Sequence, residues 1–131
     1  MLYLDSSAIV PLIRAEATTQ ALREFLDENA AALCFSSDLA RTEVQRAVAS
    51  DRPLVQAAAR RQLSRLHLVH LTPGLLDDAG SLLPGMQVRS LDAIHLAAAQ
   101  RAGSDLTAVV TYDRRMADAA LALGLRVAAP S

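Results

Sequence analysis

Residues 107–124, TAVVTYDRRMADAALALG, hold a strand, an acid and a helix in one continuous run. Thr107 to Thr111 is β-branched and apolar, as a buried strand requires. Asp113 follows at the point where a side-chain oxygen caps a helix, and Gly124 stands where that helix should stop. The chain opens in the same way. Leu2 to Leu4 is a short apolar strand that delivers Asp5 at its end, and Ser6-Ser7 leads into a helix in which Pro11 predicts a late start or a kink. Strands that end on an acid and turn into helices are units of an α/β protein. In a parallel sheet their carboxyl ends lie along one edge.

The remaining segments follow the same rhythm. Helices are expected over 18–29, from a Ser36-Ser37-Asp38 cap to about Ser50, from Leu54 to Leu66 behind Pro53, from Pro73-Gly74 through Leu83, and from a Ser90 cap to about Ala102. Strands are expected at 33–35, His67 to Leu71 and Leu125 to Ala128, and Pro84-Gly85 and Gly103 punctuate the chain. No repeat, low-complexity tract or linker interrupts it. This pattern predicts one domain over 1–131, an α/β/α sandwich with a small central parallel sheet.

Composition excludes several classes of function. Of 131 residues 52% are hydrophobic but only 3% are aromatic, so the core must be built from Leu, Val and Ala. No apolar run approaches the ~20 residues that cross a bilayer, and no signal-peptide pattern opens the chain. The single cysteine, Cys34 in the stretch AALCF, predicts a buried thiol in a reducing compartment, so the expected setting is the cytoplasm, away from membranes. The net charge of −1 gives no general attraction to nucleic acid, and all 13 basic residues are arginine. Without lysine there is no P-loop, no Schiff base, and no lysine-dependent phosphatase or receiver site. No G-x-S-x-G or glycine-rich dinucleotide loop occurs either.

The chemistry that remains lies in four acids, Asp5, Glu43, Asp92 and Asp113. Each has a bland reading beside the functional one. Asp5 and Asp113 can be simple helix caps, and Asp92 gains from the helix dipole two residues after Ser90. Glu43, beside the apolar stripe Ala40, Val44, Ala47 and Val48, can be a boundary carboxylate paired with Arg41 or Arg46. Taken together, like charges gathered at one sheet edge need a cation, which points to a divalent metal site and phosphodiester hydrolysis. His95, one turn after Asp92, is either a zinc ligand or a satisfied core histidine, and no third soft ligand supports zinc. His67 and His70 lie at odd spacing on one strand and cannot share a metal.

Four segments, LYLDSSAIV, RTEVQRA, RSLDAIHLAAA and VVTYDRRMADAA, occur in the order and spacing of a PIN domain, and the chain resembles the VapC toxins of bacterial toxin–antitoxin pairs over its whole length. That resemblance implies a compact α/β/α fold, Mg²⁺- or Mn²⁺-dependent endoribonuclease activity on RNA (tRNA, rRNA or mRNA), a VapB-like antitoxin partner and a homodimer. It also implies that Asp5, Glu43, Asp92 and Asp113 form the catalytic, metal-binding quartet and that the hydroxyls of Ser6 and Thr111 support it. Arg114 and Arg115 depart from the family pattern and read either as ordinary solvated charge or as RNA contacts beside the site where phosphate would pass. Asp118 reads either as an outer acid or as a surface residue. The rival expectations are a PIN nuclease of RNA processing and a silent module whose acids hold a partner's arginine.

Overall fold

The computed structural model describes residues 1–131. β1 (Leu2–Leu4) leads through α1 (Ser6–Ile13) and α2 (Thr19–Glu28) to β2 (Cys34–Ser37), and α3 (Leu39–Ala47) and α4 (Pro53–Ser64) lead to β3 (His67–Val69). Beyond α5 (Pro73–Gly80), α6 (Ser90–Gln100) and a short 3₁₀ turn come β4 (Ala108–Val110), α7 (Arg114–Ala122) and β5 (Val127–Ala128). Every strand pair is parallel, and the sheet order is β3-β2-β1-β4-β5. The expected sandwich is the observed one.

Alternation along the central strands sorts the core into two layers. Tyr3, Phe35 and Val109 face a cluster built with Leu75, Leu96 and Met116 of α5, α6 and α7. Leu2, Leu4, Ala108 and Val110 face the other way, onto Ile9, Leu22, Val44 and Leu63 of α1 to α4. β1 and β4 are buried along their whole length, as strands covered on both faces must be. Half-buried Cys34 sits at the margin of the second cluster rather than deep within it, and partial burial still pushes its thiol pKa up.

Several helix ends differ from expectation for identifiable reasons. Ser36 and Ser37 extend β2 by pairing with Leu68 and Val69, so they do not cap α3. The Asp38 carboxylate accepts from Arg41 Nε and pairs with His70 Nδ1, and it caps nothing. α3 stops at Ala47, and Gln56 Nε2 takes up the carbonyls of Ala49 and Asp51 beyond it. α5 ends at Gly80, and beyond it Leu83, before Pro84, turns left-handed with φ 48°. Ser90 is the first helical residue of α6 and Arg89 is its cap position.

The sheet order also sets where a ligand site must form. From β1 the chain works outward through β2 and β3, then crosses back to lay β4 on the opposite side of β1. The carboxyl ends of β1 and β4 therefore flank the switch point of the topology, where loops diverge and leave a crevice.

Candidate active site

Asp5 and Asp113 leave the two strands at that switch point, with Leu4 in register with Val110 and the Asp5 N–H donating to the Val110 carbonyl. Both acids do cap helices. Asp5 accepts from the Ala8 N–H at the start of α1, and Asp113 accepts from the Arg115 and Met116 N–H groups at the start of α7. Asp92 lies in the first turn of α6. Three helix N-termini thus converge near the acids and favour their ionised forms. Glu43 comes from the middle of α3 and, with Arg89, Asp92 and Asp113, lines a single cleft.

A web of hydroxyls holds these carboxylates. Ser7 Oγ donates to Asp5 Oδ1 at 2.6 Å and Thr111 Oγ1 donates to Asp5 Oδ2 at 2.6 Å. The same two hydroxyls accept from the N–H groups of Tyr112 and Asp113, which ties the end of β4 to the start of α1. Ser6 Oγ donates to Glu43 Oε1 at 2.7 Å, and His95 Nε2 lies 2.5 Å from the same oxygen. Burial pushes the Asp5 pKa up, and the Ser7 and Thr111 hydrogen bonds only partly oppose it. Burial acts in the same direction on Glu43 and Asp113, but His95 and Ser6 on the first, and Arg89 on the second, outweigh it and bring both below the usual range.

Arg89 is the cation of the site as it stands. Its Nε donates to Asp92 Oδ2 at 2.8 Å and its Nη2 to Asp113 Oδ2 at 2.6 Å, and the two carboxylates raise its own pKa. No three acid, imidazole or thiol groups converge closely enough to ligate a metal ion directly in this arrangement, and the guanidinium lies between two of the acids. The donor set nonetheless fits a hard divalent cation, being all carboxylate oxygen. Glu43 Oε2 and Asp92 Oδ1 carry no protein hydrogen bond, and a positive charge already bridges Asp92 and Asp113.

The other sequence candidates fall around this centre. Arg115 and Asp118 line a cavity of about 610 Å³ that adjoins the cleft through Arg89 and Asp92. Arg114 borders a separate hollow with Thr111, Tyr112 and Asp113. His67 and His70 are both exposed, and His70 pairs with Asp38. Both ring nitrogens of His95 are engaged, Nδ1 with the Tyr3 hydroxyl and Nε2 with Glu43, so it is a satisfied core histidine and no zinc ligand. Sequence reasoning passed over Ser7, Arg89 and Tyr3. Only Arg89 left a readable trace, since an Arg three residues before Asp92 falls within side-chain reach on a helix start.

Two strand-end acids at the switch point of a five-stranded parallel sheet, with two more acids from helices, match a known family. A PIN domain model covers residues 2–121, and this chain belongs to the PIN domain family. Among curated proteins it is 49% identical over 130 residues to Ribonuclease VapC46 of Mycobacterium tuberculosis, covering 99% of this chain and 98% of the relative. It is 42% identical over 132 residues to Ribonuclease VapC35 of the same species, covering 99% and 97%. Among solved structures, the crystal structure of M. tuberculosis VapC20, described as a toxin that cleaves the sarcin–ricin loop, superposes with a TM-score of 0.73. That match has 17% identity and covers 91% of this chain and 95% of the other, so it speaks for the fold alone.

Proposed function

We propose that this protein is the toxin of a VapBC-type pair, an endoribonuclease that hydrolyses RNA phosphodiester bonds with Mg²⁺ or Mn²⁺ and is restrained by a cognate VapB-like antitoxin. The observation that carries this reading is the cleft where Glu43, Asp92 and Asp113 meet around one guanidinium, beside the buried Asp5. The names of relatives that share 49% and 42% of its residues over nearly their full length support it. Asp5, Glu43, Asp92 and Asp113 are assigned to the metal, with Ser6, Ser7 and Thr111 orienting Asp5 and Glu43. A bound divalent cation would supply the charge that acidifies an attacking water and steadies the phosphate.

The chain's own residues do the rest. Asp5 sits at a strand end, the most rigid platform in the site, with both oxygens oriented by hydroxyls. Arg89 is half exposed, and a bound divalent cation would compete with it for Asp92 and Asp113. In this proposal the released guanidinium meets RNA phosphate, together with Arg115 across the adjoining cavity and Arg114 at the separate hollow beside Asp113. Two tyrosines and two phenylalanines offer little base stacking, so a folded RNA loop suits the site better than a long single strand.

An apolar groove of about 400 Å³, lined by Leu76, Leu82, Leu83, Met86, Val88 and Ile94, offers a face for an antitoxin segment, and homodimerisation belongs to the same proposal. So does a cytoplasmic setting. No helix is long and apolar enough to cross a membrane.

The test is cleavage of total cellular RNA by the purified, antitoxin-free protein with Mg²⁺ or Mn²⁺, beside Asp5→Asn and an EDTA control. Discrete fragments from the wild type alone are expected. Folded wild type that cuts nothing would overturn the nuclease reading in favour of an acidic module that binds arginine.

A further inference from the structure

Glu43 differs from the other acids in how its carboxylate is held. Asp5 and Asp113 are short side chains locked by backbone N–H groups at helix caps. Glu43 is longer and projects from the middle of α3, where no free N–H group is available to orient it. Its two hydrogen bonds, from Ser6 Oγ and His95 Nε2, both fall on Oε1 and leave Oε2 open.

His95 is 3% exposed, and its other nitrogen, Nδ1, lies 2.6 Å from the hydroxyl of Tyr3. Tyr3 is fully buried on β1 and packs edge-on against Phe35 at 5.1 Å and against the His95 ring at 5.8 Å, so its ring is fixed in place. In a neutral ring, an O–H donated to Nδ1 places the imidazole proton on Nε2, aimed at Glu43.

We infer that Tyr3 and His95 are positioning residues for the proposed metal site: Tyr3 holds His95 as the Nε2–H tautomer, and His95 turns Glu43 so that Oε2 faces the cation. The inference rests on the metal-dependent reading above and adds a chain of hydrogen bonds from the sheet core to a ligand. Such outer partners commonly alter metal affinity by about 10- to 100-fold. A histidine that merely fills the core would not couple a tyrosine to metal binding.

The experiment uses the full-length protein, whose three histidines give a simple ¹⁵N imidazole spectrum. Wild type is expected to show His95 as the Nε2–H tautomer. Tyr3→Phe, which keeps the ring in the core, should mix the tautomers and weaken Mn²⁺ binding by about tenfold. It should also lower kcat and leave KM for RNA near the wild-type value. His95→Gln places an amide N–H near the position of Nε2 and should retain most of the Mn²⁺ affinity, whereas His95→Leu should lose it. A folded Tyr3→Phe protein with the wild-type tautomer and Mn²⁺ affinity would overturn the inference. Equal behaviour of the Gln and Leu variants, or a wild type that binds no Mn²⁺, would do the same. Tautomer and Mn²⁺ affinity are read without RNA, so a protein that passes both and cuts no RNA refutes the nuclease activity alone.

Discussion

Binding of Mn²⁺ in the cleft should raise the melting temperature by an amount that chain length allows us to calculate. A ligand at one hundred times its Kd stabilises the native state by about 2.7 kcal/mol. Unfolding entropy is about 2.1 cal/mol/K per residue, which for 131 residues comes to roughly 0.28 kcal/mol/K. The expected shift is therefore about 10 °C at saturating metal. Incoming metal must first displace Arg89 from Asp92 and Asp113. Arg89→Gln removes that competitor, so this variant should melt lower than wild type in EDTA and reach its plateau at less Mn²⁺. Asp5→Asn should show under half of the wild-type shift, and Asp77→Asn, altered at an exposed acid on α5, should show all of it. Differential scanning fluorimetry across a Mn²⁺ series reads all four proteins. An unmoved wild type, or equal shifts in wild type and Asp5→Asn, would refute the assignment of the acids to a metal.

Two further outcomes follow from buried polar groups. The Asp5 pKa is raised by burial, so the native state binds this proton more readily than the unfolded chain does. Its favourable contribution is whole below the unfolded pKa, about 3.9, and is lost as pH rises through the folded value. In EDTA at neutral pH, Asp5→Asn should thus melt above wild type, with the advantage shrinking in acid. An advantage that grows on acidification would show the sign to be wrong. The hydroxyls of Ser36 and Ser37 are buried without hydrogen-bond partners, and each should be removable by alanine with a gain of about 1 kcal/mol in urea unfolding. A loss of that size at either position would show the Tyr3 hydroxyl beside them to be a working partner.

Local features of this chain were legible because their causes are local. Asp5 and Asp113 were readable as strand-end acids, and both do cap the helices that follow. The strand at Ala108–Val110 and the helix stopped near Gly124 follow from β-branching and from a glycine at φ 77°. Reading failed where a distant segment competed for a residue. Ser36 and Ser37 have the side chains of a cap but are drawn into pairing with β3, and Asp38 turns to His70, 32 residues away. The bland partners proposed for Glu43, Arg41 and Arg46, are not the ones it takes. It binds Ser6, 37 residues before it, and His95, 52 residues after it.

The sequence by itself determined the alternation of strands and helices, the placing of acids at the strand ends and the exclusion of lysine chemistry. Capping, periodicity and composition act within a few residues and need no partner from elsewhere. Only the tertiary structure decided that β4 lies beside β1, that Arg89, already paired with Asp92, reaches Asp113 24 residues away, and that Tyr3 reaches Glu43 through His95. Those pairings depend on which surfaces are buried against one another. Side chains far apart along the chain become neighbours only once the sheet order and the two core layers have formed.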